Sequence, residues 1–275
     1  MHPFSFPSRT SSALRTSGAP RICSVLACAL LLVILSGCGK KGPVMPLEAR
    51  LPVAPSKVTL SQRGESMLLG WGIPKTNQDG SELTKLKRFD IYRIDYEPER
   101  GCPECRNPTY LLQQIDADYY RSTSQDNQRI YMWDHFVEPG SGYRYSIVPI
   151  NHKDQAGKAT TIHRPCFPAP LPPEELRVET ADRQITLQWD AVTPLNNSSA
   201  QTAIIGYNIY RCNAGEYFGP RPLNREPLKT TTYVDMNLDN GRAYRYTLRT
   251  VAQYGEFMLE SEGVPAIVAT PAAPL

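Results

Sequence analysis

Leu68-Leu69-Gly70-Trp71 followed by Phe89-Asp90-Ile91-Tyr92-Arg93, and Leu187-Gln188-Trp189 followed by Tyr207-Asn208-Ile209-Tyr210-Arg211, are the stretches on which the fold turns. Trp71 to Tyr92 spans 21 residues, Trp189 to Tyr210 spans the same 21, and the two pairs lie 118 residues apart. Further along, Gly142-Tyr143-Arg144-Tyr145-Ser146-Ile147 parallels Ala243-Tyr244-Arg245-Tyr246-Thr247-Leu248. Matching segments in the same order mean two copies of one unit. Inside each copy apolar and polar residues alternate with a period of two, broken by Pro, Gly and Asn clusters. In the second copy Leu176 and Val178, then Ile185, Leu187 and Trp189, then Tyr244, Tyr246 and Leu248 take the inward positions. Arg245, Thr247 and Arg249 are expected to face water. Outside the first 37 residues no ten-residue segment carries a helical stripe. The pattern predicts an all-β chain of two β-sandwiches, each plugged by its tryptophan.

The order Leu-x-Val, Leu-x-Trp, Tyr-x-Ile-Tyr-Arg, Leu-x-x-Gly-x-x-Tyr-x-Tyr resembles the fibronectin type III family over nearly all of residues 52–272. The resemblance implies a core tryptophan on the second strand, here Trp71 and Trp189. It also implies a tyrosine corner whose hydroxyl bonds back to the preceding loop, here Tyr143 and Tyr244. The first unit departs slightly at the corner, with Val137-Glu138-Pro139-Gly140 where the second has Leu238-Asp239-Asn240-Gly241. The expected units are residues 56–165 and 174–272, joined by a proline-rich linker at 166–173. Pro165 to Pro173 holds five prolines in nine residues, so the sandwiches are expected to sit end to end within a limited range of angles.

Upstream lies a different kind of chain. Residues 1–21 carry Arg9, Arg15 and Arg21 without an acid, and Ile22 to Ile34 is an uncharged run of thirteen. That is the length of a signal-peptide core and too short to span a bilayer comfortably. Leu35-Ser36-Gly37-Cys38 then resembles a bacterial lipoprotein signal, which implies cleavage after residue 37 and lipidation of Cys38 by acyl chains such as palmitate. Residues 38–55, with prolines at 43, 46, 52 and 55, read as a stiff tether. The start Cys38-Gly39-Lys40-Lys41-Gly42-Pro43 resembles small outer-membrane lipoproteins that begin Cys-Gly-x-Lys-Gly-Pro and assist the lipopolysaccharide translocon. Gly39, where inner-membrane lipoproteins carry aspartate, implies the outer membrane of a Gram-negative bacterium, with the protein facing the periplasm.

The whole chain carries 30 Lys and Arg against 27 Asp and Glu. Losing the three leader arginines leaves 27 against 27. A neutral chain lacks the basic excess that a nucleic-acid partner needs. Of seven cysteines, Cys102, Cys105, Cys166 and Cys212 remain after Cys23, Cys28 and Cys38 are accounted for. In an exported chain these are disulfide candidates. Cys102-Pro103-Glu104-Cys105 reads foremost as a loop-closing disulfide. A thiol–disulfide centre would want a helix N-terminus, and a zinc site would want a second ligand pair. Cys166 and Cys212 are either bridged across the two units or free and buried.

The first unit carries 17 more residues than the second between its Tyr-Arg strand and its tyrosine corner, to be shared between loops at 97–108 and 116–129. Loops carry function more often than frameworks do, so this insertion is the candidate binding loop, with Tyr110, Tyr119, Tyr120 and Arg121 as candidate contacts. Tyr217 and Phe218, with Arg106 and Arg221 nearby, are further loop aromatics and cations. His135, His152 and His163 lie in the first unit, and Asp134-His135 is opposed as an acid–base pair because neighbouring strand residues face opposite ways. Asp116, Asp118 and Asp126 read as solvated turns, Asp79-Gly80 as turn chemistry. No Gly-x-Ser-x-Gly elbow and no glycine-rich phosphate loop occurs. The expectation is a protein with no catalytic residue, cofactor or metal, anchored to a membrane and binding or scaffolding an envelope protein or glycan. An accessory role in outer-membrane assembly, or thiol–disulfide chemistry at Cys102 and Cys105, is the alternative.

Overall fold

The computed structural model describes residues 50–118, 129–193 and 202–273. The signal peptide, Cys38, most of the tether and Tyr119, Tyr120, Arg121 and Asp126 lie outside the described residues. In chain order the first unit supplies β1 (Ser56–Arg63), β2 (Ser66–Gly72), β3 (Leu86–Tyr96), β4 (Tyr110–Asp116), β5 (Arg129–Asp134), β6 (Gly142–Asn151) and β7 (Thr160–Pro165). The second supplies β8 (Glu174–Ala181), β9 (Gln184–Asp190), β10 (Thr202–Asn213), β11 (Thr232–Met236), β12 (Tyr244–Tyr254), β13 (Phe257–Glu260) and β14 (Ile267–Ala269).

Each unit is a sandwich of a β1-β2-β5 or β8-β9-β11 layer against a β4-β3-β6-β7 or β10-β12-β14 layer. This is the fibronectin type III-like strand arrangement. The inward alternation buries Met67, Leu69 and Trp71 against Phe89, Ile91, Tyr145 and Ile147 in the first unit. It buries Ile185, Leu187 and Trp189 against Ile209, Tyr246 and Leu248 in the second. The repeat reaches the backbone: Lys57 and Glu175, 118 apart, both take a positive φ at the same irregularity in the first strand of their unit. Trp71 meets Phe89 edge-on at 5.5 Å and Trp189 meets Tyr207 edge-on at 5.4 Å. Both tyrosine corners form: the Tyr143 hydroxyl accepts from Glu138 N–H at 2.7 Å, and that of Tyr244 from Asp239 N–H at 3.1 Å.

Three expectations are corrected. Between the loops at 97–108 and 116–129 the chain forms β4, which pairs with β3, so Tyr110 of the candidate binding loop stands on a strand. In the second unit the matching stretch forms no strand and touches β10 as a bridge at Tyr207 and Leu228. The end of the tether is docked: Pro52 bridges Asn77, Gln78 N–H donates to Leu51, and Lys158 N–H donates to Pro52. The chain therefore joins the first sandwich at Leu51 rather than at residue 56. Thr247 is buried and Arg249 half-buried, because the Ser261–Val264 segment folds back over that face and the Thr247 hydroxyl donates to Val264 C=O at 2.7 Å.

The fourth difference is the largest. The units do not merely follow one another. β13, the return arm of a hairpin from β12, pairs parallel with β1, matching Gln62 with Leu259 and Arg63 with Glu260. One sheet thus runs β10-β12-β13-β1-β2-β5 through both units. The proline count in the linker predicted stiffness, but the weld is made by residues nearly two hundred positions apart.

Candidate functional site

The seam between the units is built from side chains that leave little free. Arg63 Nε lies 3.0 Å from Glu260 Oε2, with both side chains almost wholly buried. The Tyr210 hydroxyl donates to Glu260 Oε1 at 2.7 Å and Asn208 Nδ2 donates to the same oxygen. The Arg63 guanidinium stacks 4.9 Å from the Tyr210 ring and 5.8 Å from that of Trp133, and donates to Pro220 C=O. Burial, and then Glu260, push the Tyr210 hydroxyl well above the usual tyrosine range. Behind this pair the buried Gln62 side chain holds Phe167 of the linker by both backbone groups, accepting from its N–H at 3.0 Å and donating to its C=O at 2.6 Å. The Phe167 ring stacks on Tyr254 at 4.0 Å and leans on Phe257. Gly64 is needed here: its φ is +58°, and a Cβ would run into the Glu262 carboxylate.

A second motif recurs once per unit. Arg93 Nη1 donates to Asp134 Oδ2 at 2.7 Å, and Tyr145 donates to the same oxygen at 2.8 Å. Arg211 and Tyr246 bind Asp235 in the same way, at 2.7 Å each. Each guanidinium also lies over its corner tyrosine, Arg93 over Tyr143 at 5.1 Å and Arg211 over Tyr244 at 5.4 Å. These carboxylates close the sandwich flank and serve no visible chemistry. Asp134 faces inward while His135 faces out, stacked beside Trp133 and hydrogen-bonded to Ser66.

The insertion makes the concavity. Cys102 and Cys105 form a disulfide with Cα atoms 5.3 Å apart. The loop is turned by Gly101 N–H donating to Glu97 C=O at 2.7 Å. It is pinned from outside by the buried Arg144, whose Nη1 donates to the carbonyls of Pro103 at 2.8 Å and Arg106 at 2.7 Å. Beside it opens a groove of about 730 Å³ lined by Arg93, Ile94, Asp95, Arg106, Asn107, Thr109 and Tyr110. Tyr110, a candidate contact from the sequence, is 64% exposed there. Asp95 is answered by Arg93 at 3.2 Å, whereas Arg106 is exposed and has no ion-pair partner among the described residues.

The remaining candidates separate. Cys166 and Cys212 are free and buried rather than bridged, and Cys212 donates to Glu216 C=O. Burial pushes the Cys166 thiol up to about 11, away from reactivity. Tyr217 is exposed, while Phe218 lies beneath Arg245. Asp116 accepts from Asp118 N–H, and Asp79 accepts from both the hydroxyl and the N–H of Ser81, which lowers its pKa. No group of three or more His, Cys, Asp or Glu gathers in metal-binding fashion among the described residues.

The fold so described is a tandem of two fibronectin type III-like sandwiches welded into one sheet. No protein-family model and no curated protein matches the chain. Among solved structures it is similar to the FN1–FN3 domains of chicken CNTN1, at 13% identity, over 81% of this chain and 68% of that one, with a TM-score of 0.32. The fold assignment rests on the strand order and not on that likeness.

Proposed function

We propose that this protein is a non-catalytic binding or scaffolding module of the bacterial cell envelope, held by a lipid on Cys38 at the outer membrane and facing the periplasm. The observation that carries the binding reading is the groove of Arg93, Arg106 and Tyr110. It opens where the first unit departs from the repeat, and a disulfide and Arg144 keep it open. A repeated scaffold that differs at one rigid, exposed concavity puts its specificity there. The anchor and its address rest on Leu35-Ser36-Gly37-Cys38-Gly39. Thiol–disulfide exchange is the weaker reading, since Cys102 follows a turn rather than opening a helix.

A photoreactive residue in place of Tyr110 tests the binding reading in intact cells. It is expected to trap one envelope species that the same residue in place of Val268, exposed on the second unit, does not trap. Equal labelling from both positions, or none from Tyr110, contradicts it. Cys38→Ser is expected to release the chain from the membrane fraction, and retention there contradicts the anchor.

A further inference from the structure

The groove is a gap in a sheet. β3 pairs with β6 all the way to Tyr96, opposite Gly142. On its other side it pairs with β4 only as far as Arg93, opposite Tyr110. Ile94, Asp95 and Tyr96 therefore keep an open strand edge, a row of backbone donors and acceptors of the kind another strand completes. The chain's own loop does not close that edge. The disulfide tightens it, and Arg144 draws the carbonyls of Pro103 and Arg106 onto the outer face of the sheet. Gly142 is part of the arrangement: the Tyr96 ring lies across it, in the space a Cβ would take.

Arg93 is held by the buried Asp134 and by Asp95, a set of one cation and two carboxylates with a formal charge of −1, and among the described residues Arg106 is the cation of the lining that has no ion pair. Arg106 is left exposed at the wall, beside the exposed ring of Tyr110. Deepening the binding reading and resting on it, we propose that the gap takes a short extended peptide that continues the sheet along Ile94–Tyr96 and sets an acidic side chain against Arg106, with Tyr110 covering its neighbour. An open strand edge favours a polypeptide over a glycan, because main-chain groups at strand spacing answer main-chain groups. The second unit supplies the comparison. There Arg211, Cys212 and Asn213 stand where Arg93, Ile94 and Asp95 do, lining a smaller hollow of about 390 Å³. There Ala214 N–H donates to Ala243 C=O, continuing the β10–β12 pairing as Tyr96 opposite Gly142 continues β3–β6, and the walls of the hollow carry the acids Glu216 and Asp239.

The test uses the full-length chain in detergent and the peptide Thr-Val-Glu-Val-Thr, fluorescein-labelled, with three controls. These are the Gln analogue of the peptide, the same peptide N-methylated at alternate amides, and Arg106→Gln, an exposed change that leaves the fold intact. Anisotropy is expected to show the Glu peptide binding about fivefold more tightly than the Gln analogue, a preference lost in Arg106→Gln. The N-methylated peptide is expected not to bind, and hydrogen exchange is expected to show new protection at residues 94–96. Equal affinity for the Glu and Gln peptides, undiminished binding of the N-methylated peptide, or protection confined to the second unit overturns the proposal. So does a concentration-dependent dimer that Arg106→Gln abolishes, which would seat a second copy there. Failure here with the Tyr110 crosslink intact removes the strand-addition geometry and spares the binding reading.

Discussion

Arg93, Asp134 and Tyr145, and their counterparts Arg211, Asp235 and Tyr246, explain why both copies keep Arg after Ile-Tyr. A carboxylate enclosed in a sandwich flank is tolerable only with a countercharge and donors on its lone pairs. Removing the carboxylate leaves the arginine unanswered, at a cost that scales with how buried that arginine is. The Arg93 side chain is 12% exposed and that of Arg211 30%. Asp134→Asn is therefore expected to cost about 3 kcal/mol in urea unfolding, and Asp235→Asn measurably less. Equal costs would break the burial argument. Tyr145, Tyr246 and Tyr210 are pushed above the ordinary value of 10.0, by burial first and then by the neighbouring carboxylate. A raised folded value favours the neutral phenol, so this stabilisation is whole below pH 10 and is lost as pH rises beyond it. Stability measured across that range is expected to fall steeply on the alkaline side, with tyrosinate absorbance from these three rings appearing only as the chain unfolds. Sequence reading found the arginines as repeat markers but missed their role. A spacing of 41 residues in one unit and 24 in the other hid the common partner.

Among the elements, the 102–105 disulfide and β4 show what an insertion does to a repeat. The extra residues and the two cysteines were legible, because counting against the second copy needs no structure. The strand inside the insertion was not. Tyr110 to Asp116 holds two apolar residues in a row, and a register shift in its pairing with β3 spoils the alternation that marks a strand. The gap beside it was less legible still, being made by where pairing stops. Replacing both cysteines by alanine reopens a four-residue loop, for which chain entropy gives about 2 kcal/mol. The expected result is a loss of that size or less, with faster hydrogen exchange at residues 97–109 and no change in β9 or β12. Unchanged exchange in the loop would show that Arg144 alone holds it.

For the molecule as a whole, the seam matters more than the linker. A chain of independent sandwiches would let the groove point anywhere, whereas the weld of β1 to β13 fixes it relative to the second unit. The tryptophans and corners came from local pattern. The weld did not, since Gln62, Arg63, Leu259 and Glu260 advertise no pairing at their distance in sequence. Its energetic centre is Arg63 with Glu260, and Glu260→Gln leaves a buried guanidinium without its charge partner, expected to cost about 3 kcal/mol. The most direct measurement is hydrogen exchange under rising urea, comparing core amides of Ile91 and Ile147 with those of Ile209 and Leu248. The weld predicts that both sets open together at one free energy, and that Glu260→Gln separates them. Two opening energies in the parent chain, unaltered by Glu260→Gln, would contradict it.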